Sequence, residues 1–95
     1  MTQAVGAREE RIAEILKAVA HPVRLGIIGV LCEGEQHVNG IAERLGVAQP
    51  LVSQALRILR MRGLVAATRR GGFARYRLQE KSLRDLMRCM GRCAA

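Results

Sequence analysis

A chain of 95 residues is one domain's length, and with 49% apolar residues, Phe73 and Tyr76 as its aromatics and no Trp, its core must be aliphatic. Sixteen Lys plus Arg against eight Asp plus Glu leave a formal charge of +8, which points to phosphate polyanions. The bias toward Arg favours nucleic acid over anionic membrane, because the guanidinium forks onto phosphates and guanine edges. The polar stretch from Met1 to Glu10 excludes a signal peptide and Val23 to Cys32 is too short to span a bilayer. Three cysteines, an odd number, exclude a disulfide scaffold and indicate reduced thiols in the cytoplasm.

Taken in chain order, Arg8 to Ala20 places Ile12, Ile15, Leu16 and Val19 at helical spacing, with Glu and Arg opposite. His21-Pro22 breaks the chain, and Pro22 suits the first position of a second helix running to about Cys32. Leu25, Ile27, Ile28, Val30 and Leu31 nearly surround that helix, which predicts burial, and Gly34 is positioned to end it in a left-handed cap. Val38 to Leu45 predicts a short third helix stopped by Gly46. A fourth follows to about Met61, with Val52, Leu56 and Leu59 inward and Gly63 after it. Leu64 to Arg70 and Phe73 to Leu78 read as strands joined by the two-residue turn Gly71-Gly72. Ser82 is a candidate cap for a last helix from Leu83 to about Arg92, with Leu86, Met87 and Met90 on one side. The fold class is therefore mainly α with a small β-hairpin: a winged helix-turn-helix of five helices and a two-stranded wing. The aliphatic surface left by short helices favours a homodimer.

In a helix-turn-helix the second helix enters the major groove by its N-terminal residues while the first crosses the backbone. Here the unit spans residues 38–61, and the inward line of the fourth helix leaves Gln49, Ser53, Gln54, Arg57 and Arg60 facing out. Gln and Ser read base edges, and Arg takes guanine or phosphate. The wing, residues 64–78, carries Arg69, Arg70, Arg75 and Arg77 around a glycine tip, which suits the minor groove or its phosphates. Any one arginine could be plain solvated charge; four on one hairpin beside a recognition helix form a nucleic-acid footprint. Arg spread over several elements and a two-stranded wing exclude a membrane-surface peptide. An enzyme is excluded by the lack of Cys-x-x-Cys, of a Gly-rich phosphate loop and of a His/carboxylate pair at catalytic spacing.

The ordered set His21-Pro22-Val23-Arg24-Leu25, Ile41-Ala42-Glu43-Arg44-Leu45-Gly46, Gln49 through Leu56, Leu59-Arg60, Gly63-Leu64-Val65 and Arg75-Tyr76-Arg77-Leu78 resembles the ArsR/SmtB winged-helix repressors across about residues 8–93. The resemblance implies a homodimer built on the first and last helices, residues 8–20 and 82–93. It further implies a palindromic double-stranded operator, released when a metal or sulfur signal arrives. Two positions depart from the common pattern: Ala48 replaces a capping Ser, so Gln49 is the substitute cap, and Ala55 replaces a His.

The signal must act on few groups. Where relatives carry a Cys-x-Cys metal site this chain has His37-Val38-Asn39, and Asn39 is a poor soft-metal ligand. Asp85 stands alone among arginines, which counts against ordinary zinc or nickel sensing. Cys32, Cys89 and Cys93 remain as candidate metal or redox residues. Cys89 and Cys93 are one helical turn apart, about 5–6 Å between Cβ atoms. That is too far for an unstrained disulfide but suits a thiophilic ion. Three readings stay open: a repressor released by a soft metal or metalloid such as arsenite; a redox or persulfide switch pairing Cys32 with Cys89 or Cys93; and a constitutive nucleic-acid-binding module without a sensor. Cys32 equally fits a core residue, free Cys being among the most buried types. Arg88 and Arg92 favour thiolates at the last helix, and the helix dipole opposes them.

Overall fold

In the computed structural model, which describes residues 5–91, both histidines of the chain start a helix. Nδ1 of His21 accepts from the Val23 amide at 3.2 Å, and Nδ1 of His37 accepts from the Gly40 amide at 3.1 Å. Each satisfies one of the donors a helix start leaves without an internal partner. The order is α1 (Ala7–Val19), α2 (Pro22–Cys32), α3 (Val38–Leu45), α4 (Gln49–Met61), β1 (Val65–Arg70), β2 (Phe73–Leu78) and α5 (Ser82–Cys89), the five-helix, two-strand winged arrangement that the sequence predicts.

Helix α2 is the central pillar. Its Ile27, Ile28 and Leu31 are fully buried, packed among Ile15 and Val19 of α1, Ile41 of α3, Val52, Leu56 and Leu59 of α4, and Leu83 and Met87 of α5. Each such side chain contributes about 1.5–3 kcal/mol by leaving water. Arg24 fastens α1 to this pillar by donating to the Ala18 carbonyl at 3.0 Å. Cys32, the last residue of α2, belongs to the same core. Ile12, Leu16 and Leu25 were expected inside but are 46%, 47% and 39% exposed. Leu16 and Leu25, with Val19, Leu86, Met87 and Met90, line an open apolar groove of about 650 Å³ between α1, α2 and α5.

The strands pair antiparallel, from Val65 opposite Leu78 to Arg70 opposite Phe73. Gly71 and Gly72 make the turn at φ +56° and +86°, the left-handed pair a two-residue hairpin demands. A further bridge joins the hairpin to the α2–α3 loop: Gln36 N–H donates to the Tyr76 carbonyl at 3.1 Å, and Tyr76 N–H to the Gln36 carbonyl at 2.7 Å.

Three local expectations are corrected. Gln49 does not cap α4; it is the first helical residue, and its Nε2 donates to Ser53 Oγ at 2.8 Å, leaving Ala48 as a cap without a side-chain bond. Ser82 is likewise inside α5, bonded to Glu80 Oε2 at 2.7 Å, and Lys81 holds the cap position. Helix α5 ends at Cys89 rather than near Arg92. Gly91 turns left-handed at φ +80° and its amide donates to the Arg88 carbonyl at 3.0 Å, a closing turn that favours glycine.

Candidate DNA interface and thiol positions

The 3.6-residue repeat of α4 turns Gln54 and Arg57 away from buried Val52, Ala55, Leu56 and Leu59, with Gln49, Ser53 and Arg60 along one flank of the exposed face. Ser53 is half-buried and the other four are exposed. The bond from Gln49 to Ser53 orders the two base-reading candidates before any DNA arrives. Ala55 is buried and faces the core.

On the wing, alternation puts Phe73, Arg75 and Arg77 of β2 on the exposed face, with Ala74, Tyr76 and Leu78 half-buried beneath. Register places Arg70 beside Phe73 and Thr68 beside Arg75 on that face. Arg69 donates to the Gly72 carbonyl at 3.4 Å, curling over the tip, and Arg77 donates to Thr68 Oγ1 at 2.6 Å. Arg75 is held through Nε by Glu35 at 3.6 Å. A cleft of about 410 Å³ joins the two parts, lined by Gln49, His37, Asn39, Arg70, Phe73 and Arg75. Gln49, Arg70 and Arg75 are thus brought together; Arg57 and Arg60 lie farther along α4, outside the cleft.

Sequence reasoning did not single out Phe73, Glu35 or Arg84. Phe73 was visible in the period-2 alternation, two and four residues before Arg75 and Arg77. Glu35 and Arg84 act across long sequence separations and carry no local signal.

Cys32 is buried, Cys89 is exposed, and Cys93 lies outside the described residues. The guanidinium of Arg84 donates to the Cys32 carbonyl. Cys89 is five residues beyond Arg84, about 7.5 Å along the axis. Helix α5 ends at Cys89 and the chain turns left-handed at Gly91; the expected Cys89–Cys93 pairing falls outside the described residues. Among the described residues no three His, Cys, Asp or Glu side chains form a group that could hold a metal ion. His37 spends Nδ1 on its helix cap. No single described helix is long and apolar enough to cross a membrane.

A buried core drawn from all five helices, a helix-turn-helix and a basic antiparallel hairpin define a winged helix-turn-helix DNA-binding protein. Residues 21–67 match the profile of the bacterial regulatory proteins of the arsR family. A biofilm growth-associated repressor of Xylella fastidiosa (strain Temecula1) is 36% identical over 83 residues, covering 87% of this chain and 73% of that protein. The structure of reduced HlyU from Vibrio cholerae superposes with a TM-score of 0.83 at 27% identity, over 93% of each chain. A homodimeric winged helix-turn-helix DNA-binding domain from Mycobacterium bovis, described as a possible ArsR-family regulator, superposes with a TM-score of 0.77 at 29% identity, over 95% of this chain and 87% of that one. The chain belongs to the ArsR/SmtB family: it is a DNA-binding transcriptional repressor and not an enzyme.

Proposed function

We propose that the chain acts in the cytoplasm as a homodimer on a palindromic duplex operator, reading bases with Gln49, Ser53, Gln54, Arg57 and Arg60 of α4 and gripping phosphates with Arg69, Arg70 and Arg75 of the wing. The observation that carries this reading is the cleft in which Gln49, the start of the recognition helix, meets Arg70 and Arg75. Helix α4 and the wing therefore share one face, and a duplex can meet both. The apolar groove between α1, α2 and α5 is the seat of the second copy; the homodimeric M. bovis domain supports a second copy as such.

The releasing signal is thiol-directed. Exposed Cys89, with Cys93 beyond it, is the first target, and arsenite or another soft metal ion is the matching inducer. A redox or persulfide switch using Cys32 is the second reading, favoured by the description of the HlyU structure as reduced. Selection from a random duplex pool tests the repressor reading: enrichment of a palindrome supports it, and recovery of unrelated sequences leaves only a constitutive module. Titration of the bound complex with arsenite, cadmium, zinc, peroxide and persulfide then separates the signals by which one releases DNA.

A further inference from the structure

Phe73 is the anomaly of the wing. It is 70% exposed, whereas the other aromatic, Tyr76, is half-buried against the core. A large apolar side chain held in water forgoes much of the free energy that burial would return. The groove on α1, α2 and α5 gathers exposed Leu16, Leu25 and Met90, but Phe73 is not among its lining residues and the proposed second copy does not account for it. Its surroundings are cationic: Arg70 is its cross-strand partner, and Arg75 and Arg77 follow it on the same face of β2. It also lines the cleft shared with Gln49 of α4, so it looks toward the face assigned to DNA.

We propose that Phe73 is a DNA-contacting residue: the wing enters the minor groove tip first, and the phenyl ring packs on deoxyribose and base edges at one step. The arginines behind it meet the phosphates that wall the groove. An apolar residue leading a basic hairpin matches the minor groove of duplex DNA, whose walls are apolar deoxyribose faces between two charged rails, with base edges as the floor. Inserted apolar side chains loosen a base step, so flexible pyrimidine–purine steps suit this tip better than stiff A-tracts. The inference rests on the repressor reading, and the two fail differently.

The test exploits the fact that phosphate contacts release counterions and apolar contacts do not. The full chain is titrated onto a labelled duplex of arbitrary sequence, about three helical turns long, at a series of salt concentrations. Phe73→Ala and Phe73→Thr (the latter keeping strand propensity) should each weaken binding about five- to tenfold at every salt concentration, with the slope of log affinity against log salt unchanged. Phe73→Leu should recover most of the loss. Arg70→Ala, in contrast, should flatten the slope by about one unit. The inference is overturned if both Phe73→Ala and Phe73→Thr bind within twofold of the parent, or if their loss comes with a flattened slope. It is equally overturned if they lose affinity for phosphatidylserine vesicles and none for DNA. A parent chain that binds no duplex at all would instead remove the repressor reading.

Discussion

Arg84 of α5 donates from its guanidinium to the backbone carbonyl of Cys32, across 52 positions of sequence. The bond joins the first turn of the last helix to the final residue of the central one. The loop that leaves Cys32 runs to Glu35 and Gln36, which hold the wing at Arg75 and Tyr76. A displacement of α5 therefore has a short physical route to the DNA face.

Removing that link should be costly. Hydrogen bonds to charged groups contribute about 1.5–3 kcal/mol, and Arg84 is partly buried. Arg84→Ala is expected to lower the unfolding free energy by about 1–3 kcal/mol, with Arg84→Lys intermediate. Urea denaturation checks it; an unchanged midpoint for both variants would show that the contact is absent in solution.

The recognition-helix assignment can be tested without disturbing the fold, because Gln54 and Arg57 are exposed. Gln54→Ala should cost about 1–3 kcal/mol of operator affinity and relax base preference at one position. Arg57→Ala should weaken binding and reduce the salt slope by about one. Melting curves for both should overlay the parent.

Glu35 occupies the guanidinium of Arg75, which the proposed DNA contact would turn to phosphate. Both side chains are about half exposed, so the pair itself is worth little, about 0–1 kcal/mol. Glu35→Gln should leave stability nearly unchanged and raise DNA affinity a few-fold. The gain should vanish when Arg75→Gln is added, a double-mutant cycle that isolates the pair.

The proposed seat of the second copy makes Leu16 an anchor. Leu16→Asp places a charge against Leu25 and Leu86 in that groove, and should raise the dimer dissociation constant by about thirtyfold or more. Sedimentation velocity reads the outcome, and a variant that stays dimeric would move the interface elsewhere.

The cysteines should separate by burial. Cys89→Ser together with Cys93→Ser should leave DNA affinity intact and abolish release by the inducer. Cys32→Ser should instead destabilise the fold by about 1–3 kcal/mol, because it puts a hydroxyl into an apolar core. A Cys32→Ser chain as stable as the parent would argue that this thiol is more than filling.

Every helix and the hairpin were legible in the sequence because apolar spacing and turn residues agree along the chain. Pro22 announces α2, Gly46 stops α3, and Gly71-Gly72 can only turn. What the pattern misread were end effects. Gln49 and Ser82 have the chemistry of caps, but their side chains find Ser53 and Glu80 instead. Gly91 read as one more residue of a helix until its left-handed backbone showed a terminus. The exposure of Leu16 and Leu25 follows from where α1, α2 and α5 meet, which no single helix encodes. On the DNA face, the residue types and helical phase that named Gln49, Arg70 and Arg75 also bring them to one cleft, whereas Phe73 required the strand register to reveal its company.

The paired bonds between Gln36 and Tyr76 divide the hairpin into two mechanical parts. Tyr76 is held on both sides, by Ala67 of β1 and by Gln36 of the α2–α3 loop; residues 69–74 project beyond the clamp. The Tyr76 amide should exchange with deuterium only as slowly as the core allows, while amides at the tip exchange within the dead time until DNA is added. Lengthening the tip by a residue should cost the chain little. The same insertion between Gly34 and Gln36 would slide the clamp out of register and swing the whole wing away from α4.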